Sequence, residues 1–316
     1  MNRLVSLSMR PLRAAVIRAY SNRLPPVTAR ETQRLADLRE SILNVQTSKQ
    51  EPAGPFWSEA RSELRRLIAH DDPRQFLQWP IIRQTMSAIC PAYSWRYLRA
   101  LRRRPDFHLG FENCLRRRDV VGNAVRYPFY PCTTADTIQR LFHIHLSWET
   151  LGIAPSEFTY ICEFGGGYGE LCRCFFGVGF HGHYILHDFP ELLCLQKYYL
   201  SHFGFQFGGA ECPSDGFVTM HASLAELERT VNTETGKGLL VATWSLSEAP
   251  LALRERIRTL VQDKFHAVLI AAQPNFFGYD NIEHFKSWLS PQLFESWIKP
   301  VPGFPDGSFY LFSRKR

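Results

Sequence analysis

The sequence predicts an α/β protein in which a helical N-terminal module precedes a doubly wound, mostly parallel sheet. Three observations support this prediction. From about residue 155, short apolar runs alternate with segments of helical pattern, and the last two runs flank a turn rich in Pro and Gly. Residues 25–150 carry helical patterns almost throughout. The first apolar run leads directly into the glycine-rich stretch GGGYG at 165–169.

The bulk composition fits a globular chain and excludes a disordered one. Of the 316 residues, 45% are hydrophobic and 21% are charged. The net charge of +7 is unevenly spread: residues 1–150 carry 24 Lys and Arg against 13 Asp and Glu, and residues 151–316 carry 13 against 17. Arginine clusters at 102–104 and 116–118 would suit an anionic substrate, a membrane surface or nucleic acid, or would form a solvated helix face.

The first 24 residues contain five arginines and no acid, and the first carboxylate is Glu31. That composition is typical of a mitochondrial transit peptide, and also of a basic helix on a membrane surface or a disordered arm. The eight cysteines form no CxxC pair, so neither a zinc ribbon nor a disulfide framework is indicated, and a reducing compartment fits best. No apolar run approaches the ~18 residues of a spanning helix. We expect a cytoplasmic protein, with a mitochondrial location as the alternative.

The helical module follows LPPVT at 24–28. From Ala29 onward, leucines and isoleucines recur at spacings of three and four, which predicts an amphipathic helix, and EPAGP at 51–55 ends it. A second helix follows with Ser58 as a possible N-cap, and further helical patterns continue to residue 104. TTADTIQRLFHIHLSWETLG at 133–152 starts at a threonine cap and stops at Gly152.

The second region alternates strands and helices. Its apolar runs predict five parallel strands, and its tail predicts an antiparallel hairpin at or near the sheet edge. The strand segments are FTYICEF, HYILHD, DGFVTMH, GLLVATWS and HAVLIAA, and the tail segments are ESWIKP and SFYLFSR. A sheet of this kind binds its ligand beyond the carboxyl ends of the strands, so the glycine-rich turn is the expected site.

Three cofactors compete for that turn. A phosphate-binding loop needs Lys and then Ser or Thr after the last glycine, but Gly169 is followed by Glu170. A dinucleotide fingerprint needs a glycine at position 170 and no anion near the pyrophosphate, so it fits only as a degenerate variant. A cationic cofactor fits better, because Glu163 and Glu170 would attract it.

The remaining pattern is ExGxGxG, formed by Glu163, Gly165, Gly167 and Gly169. It resembles the first motif of class I S-adenosylmethionine-dependent methyltransferases. That resemblance implies S-adenosylmethionine as cofactor and a Rossmann-like class I methyltransferase fold. Asp188 ends the second strand, where an acid can accept both ribose hydroxyls, a signal shared with dinucleotide folds.

Longer segments sharpen the resemblance. VVGNAVRYPFYPCTTADTIQRLFHIH, EFGGGYGELCR, DFPELLCLQKYYL and ATWSLSEAP together resemble the sugar O-methyltransferase family, from about residue 119 to the end. The resemblance implies methylation of a sugar or nucleotide-sugar, or of another small hydroxylated acceptor. We expect a basic arm or targeting segment at 1–24, a helical cap that contacts substrate at 25–150, and the cofactor-binding domain at 151–316.

Methyl transfer to a hydroxyl group needs a base that takes the hydroxyl proton. Glu248 in TWSLSE is one candidate, although it could instead cap the next helix, and Trp244 and Ser245 are candidates for contacting cofactor or acceptor. His143 and His145 are also candidate bases, but their spacing on a helix directs them to different faces. HIH at 143–145 and HGH at 181–183 lack further ligands, so no bound metal is predicted.

Two other functions stay open. The basic front half would suit an RNA or DNA methyltransferase, but no aromatic-proline tetrapeptide follows the fourth strand, so we do not expect nucleic acid as a partner. A methyltransferase-like assembly factor without catalysis is the other alternative. The sequence does not indicate an oligomeric state.

Overall fold

The computed structural model describes residue 24 and residues 26–45, 54–87, 91–116, 121–208, 216–276, 278–304 and 306–316. The predicted basic arm lies outside the described residues except for Leu24. The six cysteines within the described ranges are free thiols.

The N-terminal part is helical, as predicted, and consists of the helices α1 (Ala29–Leu43), α2 (Pro55–His70), α3 (Pro80–Thr85), α4 (Pro91–Leu101), α5 (Phe111–Leu115) and α6 (Ala135–Leu151). A hairpin that the sequence did not predict, β1 (Arg126–Tyr127) and β2 (Tyr130–Thr134), lies before α6. The threonine cap and the glycine stop of α6 are confirmed: the Thr134 side chain accepts from Thr137 N, and Gly152 is left-handed at φ 68°.

Helix α2 begins one turn earlier than its predicted cap at Ser58. Pro55 stands at its first position after Gly54, because proline has the helical φ and lacks the N–H that would go unpaired there. Ser58 therefore lies inside the helix.

The central sheet has seven strands and confirms the predicted fold class. Its strands are β3 (Tyr160–Phe164), β4 (His183–His187), β5 (Phe217–His221), β6 (Gly238–Thr243), β7 (Ala267–Ala272), β10 (Phe294–Pro300) and β11 (Phe309–Lys315). A small separate hairpin, β8 (Asn275–Phe276) and β9 (Tyr279–Asp280), follows β7. The strand order is β10-β11-β7-β6-β3-β4-β5, in which β3 to β7 run parallel and β10 and β11 run antiparallel.

Helices cover both faces of this sheet. The intervening helices are α7 (Glu170–Gly177), α8 (Pro190–Ser201), α9 (Leu224–Thr233), α10 (Ser245–Glu248), α11 (Leu251–Lys264) and α12 (Asn281–Lys286). Successive residues of β3 face opposite cores: Ile161 packs with α6, α7 and α8, whereas Tyr160 and Cys162 pack with α9, α11 and α12. Both faces of the sheet are thus buried, as a parallel sheet requires.

The strand order reverses at β3, between β4 on one side and β6 on the other. Ligands bind at such a switch point, beyond the carboxyl ends of the strands. Helices α1 and α2 pack against α8, and α4 packs along α6, so the N-terminal helices lie beside this edge. None of the described helices is both long enough and apolar enough to cross a membrane.

Candidate active site

A cavity of about 400 Å³ lies at the carboxyl ends of β3, β4 and β6. The strand ends and the glycine-rich loop form its floor. Its other walls are formed by helix α2, residues 84–87 at the end of α3, helix α6, and Phe304 of the β10–β11 connection. A volume of this size is typical of small-molecule sites, which are a few hundred Å³.

The glycine-rich loop passes close to its neighbours. Gly165, Gly167 and Gly169 have φ of 77°, 61° and 93°, in the left-handed region that favours glycine. A Cβ on Gly165 would lie 2.2 Å from the Ser245 Cβ. The alternating pattern does not require Gly166, yet packing does, because a Cβ there would lie 2.8 Å from a Leu186 methyl carbon.

Glu163 is 1% exposed at the end of β3 and lines the cavity. Tyr184 O–H donates to its Oε2 at 2.7 Å. Burial raises the pKa of Glu163 to about 7, and this rise is opposed by the Tyr184 hydrogen bond and the Arg140 charge. A buried carboxyl with so few partners is suited to a cationic ligand.

Asp188 follows β4 and also lines the cavity. Its Oδ1 accepts from Phe189 N at 2.8 Å, and its Oδ2 accepts from Gly167 N at 3.1 Å and Gln196 Nε2 at 2.8 Å. Burial raises the pKa of Asp188 to about 7 despite these donors. The carboxyl therefore ties the glycine loop to α8 while facing the cavity.

Trp244 and Ser245 both line the cavity after β6. Trp244 has φ 65°, which is strained for so bulky a residue. Its backbone N–H donates to Ala271 O at 2.6 Å. Its ring stacks on Phe304, with centroids 4.9 Å apart. The Ser245 hydroxyl donates to Phe164 O and so fixes α10 beneath the glycine loop.

Glu248, the last residue of α10, lies in the same cavity. Its Oε2 accepts from the indole N–H of Trp57 on α2 at 2.9 Å. Burial raises the pKa of Glu248, and hydrogen bonds from Trp57 and Gln273 counter that rise. It does not cap the following helix, whose N-cap position is Pro250.

The two candidate histidines are buried but lie outside the cavity lining. His143 Nδ1 is 2.7 Å from the Tyr310 hydroxyl, and burial lowers the pKa of His143 well below its usual range. His145 lies against Arg104, 3.0 Å away, and burial lowers its pKa as well. The structure thus brings Glu248 to the cavity and places both histidines in packing positions.

Two charged residues that line the cavity, Glu170 and Arg140, were not assigned correctly from the sequence. Glu170, expected to attract a cationic cofactor, is already neutralised by Arg173 at 2.6 Å and accepts from Thr137 Oγ1 at 2.5 Å. Arg140, which sequence reasoning missed, lines the cavity and donates to Met86 O at 3.1 Å. Its only signal was an arginine within the apolar pattern of α6.

A metal site is not evident within the described ranges, where no group of three or more His, Cys, Asp and Glu side chains converges.

No protein-family model matches the chain, and no curated protein matches it. Among solved structures, it is similar to an rRNA methylase from Streptococcus thermophilus (14% identity, 54% of this chain and 95% of that chain, TM-score 0.42). It is also similar to a small RNA methyltransferase, at 12% identity, 56% of this chain, 25% of that chain and TM-score 0.42. The chain is also similar to a magnesium protoporphyrin IX methyltransferase from Synechocystis PCC 6803 with bound SAM. The identity is 10%, the match covers 56% of this chain and 80% of that chain, and the TM-score is 0.40.

Proposed function

We propose that the chain is an S-adenosylmethionine-dependent O-methyltransferase that acts on a sugar or another small hydroxylated acceptor. One observation carries the proposal: a single cavity holds a glycine loop and three carboxyl groups that form no ion pair within the described residues, namely Glu163, Asp188 and Glu248. Glu170 also lines the cavity but is paired with Arg173. Glu163 and Asp188 are assigned to binding the cofactor, and Glu248 is assigned to taking the proton of the acceptor.

The residues present fit this cofactor. Its ammonium and sulfonium charges would offset the burial of Glu163, and Arg140 supplies a cation for its carboxylate. Asp188 Oδ1 retains a lone pair for one ribose hydroxyl, because each carboxylate oxygen can accept two hydrogen bonds and Oδ1 accepts only that of Phe189 N. The cofactor-binding set is Glu163, Gly165, Gly167, Gly169, Asp188, Trp244 and Ser245, with Arg140 added from the structure.

The chemistry requires alignment and proton removal. When bound, S-adenosylmethionine supplies a methyl group activated by a cationic sulfur. Glu248 takes the proton of the acceptor hydroxyl as the oxygen–carbon bond forms and the carbon–sulfur bond breaks. Burial strengthens Glu248 as a base by raising its pKa, and the Trp57 N–H keeps the carboxyl oriented.

The acceptor side is aromatic. Trp57, Trp244 and Phe304 line the cavity near Glu248, and aromatic faces pack well against the C–H surface of a ring. We assign residues 25–150 as the cap that contacts the acceptor and residues 151–316 as the cofactor-binding domain. The contribution of α2 to the cavity supports that division. A cytoplasmic location is part of the proposal, and a fluorescent-protein fusion to residues 1–30 distinguishes it from a mitochondrial one.

Titration calorimetry with S-adenosylmethionine tests the cofactor. We expect saturable binding that Glu163→Gln weakens, whereas NAD does not bind; binding of NAD alone would overturn the proposal. A panel of sugars and nucleotide-sugars with a labelled methyl donor then tests the acceptor. Detection of a methylated product excludes a non-catalytic assembly factor, and failure of the whole panel with intact cofactor binding would contradict the sugar acceptor.

A further inference from the structure

A second feature lies on the outer face of α4 and the β1–β2 hairpin, outside the cavity. Trp95 on α4 is 43% exposed, and Phe129 at the hairpin tip is 69% exposed. Their ring centroids are 6.0 Å apart, so they form one exposed aromatic surface. Large aromatic side chains exposed together are uncommon on a surface without a partner.

Arginines surround these rings: Arg96, Arg99, Arg102 and Arg103. All four are exposed, and none has a carboxylate partner within the described part of the chain. Residues 91–104 and 121–134 contain no Asp or Glu, and Glu112, whose partner Arg116 contacts Tyr130, is already paired with that arginine. Arg96 and Arg99 lie on α4 within one turn of Trp95, and Arg102 and Arg103 lie in the turn that follows the helix.

Two guanidinium groups lie over aromatic rings. Arg96 is 5.7 Å from the Tyr93 ring centroid, and Arg102 is 4.9 Å from that of Tyr130 on β2. We infer that this basic aromatic surface, formed by Trp95, Phe129, Tyr130 and the four arginines, binds single-stranded RNA. Unpaired bases stack on aromatic rings and on guanidinium planes, while arginine forks bind the phosphates.

A membrane fits this surface less well. A helix that lies on a bilayer needs an exposed apolar face, but Tyr97, Leu98 and Leu101 of α4 are buried in the core. What α4 exposes is arginine with one tryptophan, and all four cations are arginine rather than lysine. Planar stacking groups with bidentate donors are the chemistry of a nucleic-acid strand.

The surface adjoins the wall of the cavity. The Tyr93 ring packs against Gly303, where a Cβ would lie 2.2 Å from Tyr93 Cγ, and the Tyr97 hydroxyl donates to Pro302 O. The next residue, Phe304, lines the cavity. Through Arg96, which lies over the Tyr93 ring, the surface reaches the β10–β11 connection that forms one wall of the cavity.

This inference departs from the expectation that nucleic acid is not a partner. That expectation used the missing aromatic-proline tetrapeptide, which concerns the methylation of amino groups rather than the binding of a strand. The basic aromatic surface is inferred only to bind RNA, so this inference does not depend on the proposed methyl transfer.

Fluorescence anisotropy of a labelled, unstructured single-stranded RNA, titrated with the full chain without cofactor over a range of salt concentrations, tests the inference. We expect Arg99→Gln with Arg103→Gln to weaken binding and to reduce the slope of log K against log salt by about 1. Phe129→Ala should weaken binding about fivefold or more, and Phe129→Tyr should retain it, because a ring remains.

Arg229→Gln with Arg256→Gln is the matched control, because it removes the same charge from α9 and α11 and should leave RNA binding unchanged. Absence of RNA binding at low salt, or equal losses in the control, would overturn the inference. So would a preference for the deoxy strand of the same sequence, or for phosphatidylserine vesicles. Unchanged S-adenosylmethionine binding in every variant shows that the folded cavity is intact.

Discussion

Glu163 and Asp188 determine the electrostatics of the cavity at the scale of single residues. Both are buried, and burial raises the pKa of each to about 7. Both therefore change charge near neutral pH when no ligand is bound. A cationic ligand favours the ionised carboxylates, so its binding is linked to the release of protons.

We therefore predict that S-adenosylmethionine affinity rises with pH. At pH 6 the two carboxyls are mostly protonated and attract a cation weakly, whereas at pH 8 both are mostly ionised. The dissociation constant should fall about tenfold or more between these pH values. Calorimetry in buffers of different ionisation enthalpy should also detect proton release. An affinity that does not change between pH 6 and pH 8 would contradict this assignment of the two acids.

Glu163 also affects the stability of the ligand-free protein. Its pKa in the folded state lies above that in the unfolded chain, so its contribution to stability is largest below pH 4.5 and is lost as pH rises through 7. Glu163→Gln, which keeps an acceptor for Tyr184, should raise the melting temperature at pH 8 but not at pH 5. Exposed Glu59→Gln is the control and should change neither value, as thermal unfolding at both pH values would measure.

Glu248 and Trp57 provide a paired test of the base. Glu248→Gln should lower kcat by a factor of about 100 or more while leaving S-adenosylmethionine binding within about twofold. Trp57→Phe removes the N–H that lowers the pKa of Glu248, so the acidic limb of the kcat profile should move to higher pH. An unmoved limb with normal kcat would assign Glu248 to structure instead.

At the scale of elements, the contact between the glycine loop and α10 sets the geometry of the cavity floor. Gly165→Ala would place a Cβ 2.2 Å from the Ser245 Cβ at a positive φ, combining a clash with backbone strain. Gly179→Ala is a matched control, because it has φ 101° and no atom within 4 Å of an added Cβ.

We predict a loss of about 1 kcal/mol in unfolding free energy for Gly179→Ala and at least about 2 kcal/mol for Gly165→Ala. Urea unfolding measures both. Adding Ser245→Gly to Gly165→Ala removes the clash and should recover part of the difference. Equal losses in the two single variants would mean that φ alone determines the cost.

The regular elements were predictable, because period-two and helical patterns identify strands and helices from local sequence. The two-residue strand β1 was not, since Arg126 and Tyr127 are too short a run to show alternation. The glycine pattern indicated Glu163, the end of the second strand indicated Asp188, and both residues line the cavity. The sequence could not exclude the histidines as candidate bases, because only the packed structure shows that His143 contacts Tyr310 rather than the cavity. Neither could it reveal that Arg173 neutralises Glu170.

At the scale of the whole molecule, an arginine pair joins helix α2 in the N-terminal part to helix α8 beside the sheet. Arg61 donates to Glu191 on α8 at 2.9 Å, and Arg65 binds the same carboxylate. Glu191 is 1% exposed, so its charge is balanced by these two cations rather than by water. The guanidinium of Arg61 also lies 4.7 Å from the Phe189 ring centroid, next to Asp188. This carboxylate therefore couples α2 to the cavity edge.

Glu191→Gln should destabilise the chain by about 3 kcal/mol, because breaking a buried ion pair leaves charge uncompensated. It should also weaken S-adenosylmethionine binding by loosening α2 over the cavity. Glu226→Gln, which removes an exposed partner of Arg229 on α9, should cost less than about 1 kcal/mol. Chemical denaturation measures the loss of stability, and calorimetry measures the loss of binding. Equal losses of unfolding free energy in the two variants would show that the Glu191 ion pair contributes no more than an exposed one.

The position of β11 has a consequence for synthesis on the ribosome. Strand β11 is the last strand in the described chain, yet it lies inside the sheet, between β7 and β10. Until residues up to 315 have emerged, β7 exposes an unpaired edge, and β10 has no neighbour in the sheet. The nascent chain therefore exposes the unpaired edge of β7, which can pair with other chains and aggregate until β11 has been synthesised.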